Sequence, residues 1–235
     1  MGCLKIGFAG LTHLGINSLA AASAKGCKVV GYDSSCELVN QLNSSNLHIN
    51  EEGLNELLHK NREHITFTRA IGELASCDLV YISSDVMTDE SGVSELQSVE
   101  KLIYDVLDTI AESTALVVLC QVPPGFTRKI ASFHKNTFYQ VETLIFGRAI
   151  ERALHPERFI LGCSDPQRVD KNLWLFLLSF DCPIFPMSFE SAELNKTAIN
   201  LFLAANASTA NTLAELCEAI GADWSDIVPS LRLDK

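Results

Sequence analysis

The apolar positions along the chain fall into short continuous runs separated by stretches of helical spacing. Leu4–Ala9, Lys28–Tyr32, Ile65–Thr68, Leu79–Ser83, Ala115–Cys120 and Thr137–Val141 read as strands. Runs such as Leu-Val-Tyr-Ile at 79–82 and Ala-Leu-Val-Val-Leu at 115–119 show no polar alternation, the pattern of strands covered on both faces. Between them, Leu14–Lys25, Cys36–Leu42, Gly53–Lys60, Ser98–Ala111 and Gly125–Phe133 read as helices. This alternation predicts an α/β fold: a Rossmann-like, doubly wound parallel sheet with helices on both faces.

The second half changes character. Short strands at Arg158–Leu161 and Ile184–Phe185 flank a helix at Pro166–Leu178. Ser191–Ile220 then runs thirty residues without Pro or Gly, with Ser188 or Ser191 as its cap and Gly221 as its stop. That predicts one helix of roughly 45 Å at about 1.5 Å per residue, long enough to bridge domains or build an oligomer interface. A short helix follows at Trp224–Leu231.

Composition narrows the partners. The chain is 47% hydrophobic and 20% charged, ordinary values for a globular protein. Its formal net charge of -11 opposes a nucleic-acid backbone as partner, yet leaves room for small anions at helix N-termini. The eight cysteines (Cys3, Cys27, Cys36, Cys77, Cys120, Cys163, Cys182 and Cys217) form no C-x-x-C pair and no zinc spacing. They read as reduced structural thiols of a cytoplasmic protein, with no metal. Leu4–Ala9 is too short for a signal peptide, and Ile6 stands where a myristoylated Gly2 needs Ser or Thr. No apolar run is long enough to span a membrane.

The candidate chemistry begins at Leu4–Gly15, LKIGFAGLTHLG, where a strand enters a turn and a helix. Gly10 and Gly15 hold the first and third places of the G-x-G-x-x-G dinucleotide fingerprint, and Thr12 holds the second. The first glycine permits the tight turn, the third permits close helix–strand packing, and the second lets backbone approach a pyrophosphate. Thr12 therefore puts a side chain at the pyrophosphate, which is expected to weaken or shift the cofactor. Asp33, 23 residues after Gly10, ends the second strand. A carboxylate there takes the adenosine ribose hydroxyls and repels a 2′-phosphate, favouring NAD over NADP. Gly10, Thr12, His13, Leu14, Gly15, Asp33 and Gln121 are the expected cofactor-binding residues.

Later segments carry a resemblance. Ile49–Leu58 reads INEEGLNELL, Gln121–Arg128 QVPPGFTR, Glu142–Ala149 ETLIFGRA, Leu154–Gly162 LHPERFILG and Ser188–Asn200 SFESAELNKTAIN. In this order they resemble the UDP-glucose/GDP-mannose dehydrogenase family, from Leu4 to about Asp234. The resemblance implies NAD-dependent oxidation of the C6 hydroxyl of a nucleotide sugar to the uronic acid, and a homodimer built on the central helix. It implies a Rossmann domain at 1–188 and the central helix with the start of a middle domain at 189–235. Lys196 and Asn200 match the family's K-x-x-x-N pair; four residues apart, they share one helix face and can polarise one oxygen. Glu142 matches a family Glu that acts as base or orients water.

The sequence departs from the family at several site positions. Ser84-Asp85-Val86-Met87 stands for V-G-T-P, Cys120-Gln121-Val122-Pro123 for S-T-V-P, and Phe146 for the second Glu of N-P-E-F-L-x-E-G. The chain also ends before the family's G-G-x-C-x-P-K-D segment, so this chain by itself is expected to lack the nucleotide domain and the catalytic cysteine, and to be inactive alone. Cys120 or Cys163 could replace that cysteine only in an electropositive setting, which the sequence does not supply. Two other readings stand beside the enzyme: a non-catalytic binding or scaffold relative, and a β-hydroxyacid dehydrogenase-like enzyme.

Overall fold

The computed structural model describes residues 4–44, 49, 51–87 and 94–233; Cys3 with the Gly2-Cys3 acylation reading, Asn50 of the 49–58 segment and Asp234 lie outside them. The chain divides into two compact units, Met1–Leu194 and Asn195–Lys235.

In the first unit the strands are β1 (Lys5–Ala9), β2 (Lys28–Tyr32), β3 (Ile65–Thr68), β4 (Leu79–Ile82), β5 (Ala115–Val118), β6 (Thr137–Gln140), β7 (Phe159–Cys163) and β8 (Ile184–Ser188). They form one sheet in the order β3-β2-β1-β4-β5-β6-β7-β8. Neighbours are parallel throughout except β6 and β7, which run antiparallel with Tyr139 opposite Gly162. Every residue of β4 and β5 is buried, as their unbroken apolar runs require. Helices α1 (His13–Ala24), α2 (Cys36–Asn43), α3 (Leu54–Lys60), α4 (Gln97–Leu107), α5 (Phe126–Ala131), α6 (Ala149–Leu154) and α7 (Lys171–Leu178) connect them.

Two features of this topology position a site. The chain builds outward from β1 through β2 to β3, then crosses back to β4 on the other side of β1. Loops leaving the carboxyl ends of β1 and β4 therefore diverge, opening the crevice where such sheets hold ligands. The reversal at β6–β7 adds the second feature. Because β7 returns antiparallel to β6, residues 141–158 begin and end at that same edge.

Local capping sets several boundaries that periodicity placed differently. α7 starts at Lys171 and not at Pro166, because the Asp170 carboxylate accepts the amides of Asn172 (2.8 Å) and Leu173 (3.0 Å). α6 is a six-residue helix with no amphipathic repeat to announce it. The long helix α8 (Phe189–Ile220) begins with the first unit's last residues, where the Ser188 hydroxyl accepts the Ser191 amide (3.3 Å). Ser188 is thus its cap, three residues ahead of the amide it holds.

The second unit comprises the rest of α8 and α9 (Trp224–Leu231). α8 spans 32 residues, about 48 Å at ~1.5 Å per residue. Its Leu201, Phe202 and Leu203 are exposed by 67%, 72% and 64%. Among the described residues no helix is long and apolar enough to cross a membrane.

Candidate functional site

The turn after β1 is built for close approach. Gly10 has φ +94°, and a Cβ there would lie 2.7 Å from the Ser84 backbone nitrogen at the end of β4. A Cβ on Gly15 would lie 2.0 Å from the Gly10 carbonyl oxygen, so only glycine lets α1 start this near the strand. The first helical bond runs from the Ile16 amide to the Thr12 carbonyl (3.0 Å). The amides of His13, Leu14 and Gly15 precede it, which leaves a helix N-terminus able to meet an anion.

Thr12 does not simply obstruct this turn. Its hydroxyl donates to the Ser83 carbonyl (3.1 Å) and accepts the Asp85 amide (3.1 Å), so the polar end is drawn into the loop after β4. Thr12 still occupies the second fingerprint position, with its hydroxyl engaged by these two bonds. Asp33 lies beside the same turn: one carboxylate oxygen accepts the Leu11 amide (2.9 Å), the other the Ser35 amide (2.9 Å). A carboxylate offers about four acceptor positions, so capacity remains for a pair of hydroxyls. The turn, the helix N-terminus and this carboxylate fit a dinucleotide.

Next to the turn is a cleft of about 300 Å³, at the lower end of the ~300–1,000 Å³ common for small-molecule sites. His13 and Leu14 line it from α1, Ser84 and Asp85 from the loop after β4, Cys120 and Gln121 from the loop after β5, and Glu142, Leu144 and Phe146 from the segment after β6. The fold thus gathers His13, Leu14, Gln121 and Glu142 into one cavity, with Gly10, Thr12, Gly15 and Asp33 in and around the adjoining turn. Lys196 and Asn200 belong to the second unit, on α8. Among the described residues no group of three or more His, Cys, Asp or Glu could hold a metal ion.

The electrostatics separate the roles. Glu142 is half-buried and its carboxylate accepts the Leu144 amide. Cys120 is fully buried; burial first, and the Asp85 carboxylate in addition, push its thiol up to about 12. A thiol shifted in this direction is a poor source of the thiolate that a nucleophile needs. Burial likewise raises the Cys163 thiol.

Two buried carboxylates were not singled out by the sequence. Glu51 is 6% exposed, and its carboxylate accepts from His13 Nε2 (2.6 Å), the Gly147 amide (2.9 Å) and the Ala149 amide (3.1 Å). Burial pushes its pKa up, but these bonds outweigh it and hold the pKa below the usual carboxylate range. Glu193 is 1% exposed and accepts the amides of Gly125 (2.6 Å) and Thr127 (2.8 Å), fixing the loop that carries Gln121. Both lie within segments that carry the family resemblance, 49–58 and 188–200, and that placement was the one available signal.

Residues 4–177 match the model of the NAD binding domain of the UDP-glucose/GDP-mannose dehydrogenase family, and residues 190–235 match that family's central domain. The chain is 28% identical over 243 residues to the UDP-glucose 6-dehydrogenase of Rickettsia bellii, covering 99% of this chain and 56% of the relative. With Bacillus subtilis UDP-glucose 6-dehydrogenase TuaD it is 28% identical over 242 residues, covering 98% of this chain and 52% of that protein. The structure superposes on a UDP-glucose dehydrogenase of the archaeon Pyrobaculum islandicum with a TM-score of 0.87 at 26% identity, covering 99% of this chain and 57% of the other. It shares its fold with GDP-mannose dehydrogenase from Pseudomonas aeruginosa, at a TM-score of 0.86, 22% identity, and 98% and 57% coverage. The chain spans about half the length of the relatives it matches. The turn, the switch-point cleft and the family match over both units agree: this chain belongs to the UDP-glucose/GDP-mannose dehydrogenase family.

Proposed function

We propose that this chain is the NAD-binding part of a nucleotide-sugar dehydrogenase that oxidises the C6 hydroxyl of UDP-glucose, or a related UDP or GDP sugar, to the uronic acid. The observation that carries this reading is the joint placement of Gly10, the α1 N-terminus and Asp33 beside the cleft at the β1–β4 switch point. In that arrangement the amides of His13, Leu14 and Gly15 face the pyrophosphate, and Asp33 takes the adenosine ribose. Bound NAD supplies the hydride acceptor. Glu142, at the cleft, takes or relays the proton of the reacting hydroxyl or water. Lys196 and Asn200, one helical turn apart on α8, stabilise the developing oxyanion. The cytoplasm is the compartment we assign, and the assembly is a homodimer through α8.

Calorimetric titration with NAD, and with NADP as control, tests the cofactor half of this reading. The expected result is saturable NAD binding, with NADP at least ~10-fold weaker because a 2′-phosphate meets Asp33. Equal binding of the two, or binding of neither, overturns it. A second reading, a relative that binds cofactor or nucleotide sugar without turnover, is favoured by Asp85 and Phe146, which line the cleft where the family has other residues.

A further inference from the structure

We propose that Glu51 is a positioning residue: it clasps the 142–149 segment, which walls the cleft, onto the first turn of α1, and so sets the width of the cofactor site. This inference rests on the dinucleotide reading above. A carboxylate that is 6% exposed is costly unless its oxygens are well supplied with donors. All three of its donors come from elsewhere in the chain: His13 is 38 residues away, Gly147 96 and Ala149 98. One oxygen joins His13 to Gly147, and the other holds Ala149, the first residue of α6. α6 has no side-chain cap of its own, so Glu51 serves as that cap from a distance. Gly147, at φ +80°, turns its amide toward the carboxylate where a larger residue would be strained.

The same clasp explains a costly feature of the cleft wall. Phe146 is 82% exposed, yet its ring packs on His13 with centroids 4.5 Å apart. An exposed phenyl ring on a loop gains little from burial that would hold it in one place. Here its backbone neighbour Gly147 and its ring partner His13 are both bonded to the same carboxylate. His13, Leu144, Phe146 and Glu142 line one cavity, so a fixed spacing between α1 and this segment is a fixed spacing of the cleft itself. Preorganising a wall in this way removes an ordering cost from ligand binding.

The test uses the full chain and Glu51→Gln, which keeps the side-chain length but loses the charge and one acceptor. Hydrogen exchange of the unliganded protein should show amides 144–149 exchanging on the order of tenfold faster, with β1, β4 and β5 unchanged, and NAD affinity should fall by a similar factor. His13→Phe, which keeps a ring over Phe146 but removes one donor, should produce a smaller change of the same kind and serves if Glu51→Gln fails to fold. Unchanged exchange at 144–149, or faster exchange of all amides in equal proportion, overturns the proposal and leaves Glu51 a general stabiliser. NAD binding by the unaltered protein with no loss in Glu51→Gln also overturns it. Failure of the unaltered protein to bind NAD defeats the dinucleotide reading instead, and the exchange data then decide the clasp alone.

Discussion

Gly15 shows how one residue can commit a whole turn. Its missing side chain leaves room for the Gly10 carbonyl oxygen, which a Cβ would meet at 2.0 Å. The obstacle is backbone, so no rotamer change relieves it. Gly15→Ala is expected to destabilise the protein by about 1–3 kcal/mol, read as a lower denaturant midpoint with an unchanged slope; an unchanged midpoint would show that α1 shifts freely. This role was legible from spacing alone, because the third fingerprint position demands close packing whatever the ligand. Thr12 was not legible in the same way. A one-dimensional motif marks the place of a side chain but not its rotamer, and the Ser83 and Asp85 groups that capture its hydroxyl lie 71 and 73 residues on.

Among the elements, the start of α8 is tied down by buried carboxylate chemistry and not by apolar packing alone. Glu193 holds the amides of Gly125 and Thr127 at the start of α5, and Glu190 pairs with Arg128 on that same helix. Replacing Glu193 with Ala orphans both donors, at about 1–3 kcal/mol for each that stays dry. Glu190→Ala removes a pair whose partners are 41% and 53% exposed, and is expected to cost well under about 1 kcal/mol. Chemical denaturation of the two variants side by side checks this contrast, and equal losses would sink it. β2 and β3 were readable to the residue: β2 is a short β-branched run closed by Asp33, and β3 alternates apolar and polar residues with alternating burial. α6 escaped because six residues hold less than two helical turns and its cap, Glu51, is almost a hundred residues away.

For the whole molecule, the central question is what covers α8. Leu201, Phe202 and Leu203 lie exposed in succession, and Leu213, Leu216 and Ile220 follow at 37%, 52% and 69%. Single exposed leucines are common, whereas this density of large apolar side chains on one helix is what the homodimer proposed above would bury. Sedimentation at tens of micromolar is therefore expected to give a dimer, and Phe202→Lys to give monomer with the first unit's stability intact; a monomer for the unaltered chain would count against α8 as the interface. The alternating pattern fixed expectations for the parallel sheet and long helix. It could not show that β7 turns back against β6, because strand direction depends on which edge the connection returns to, and sequence runs do not encode that.

That reversal has a practical corollary. A segment that departs from and rejoins the sheet at one edge can be lengthened, shortened or exchanged without rethreading any strand. Residues 141–158 thus form one insert between adjacent strands, anchored by the amides at 147 and 149 on the Glu51 carboxylate and by Ile150 in the core. An exchange of this segment is therefore expected to preserve the fold only where the replacement keeps residues of similar size and polarity at the buried positions 149 and 150.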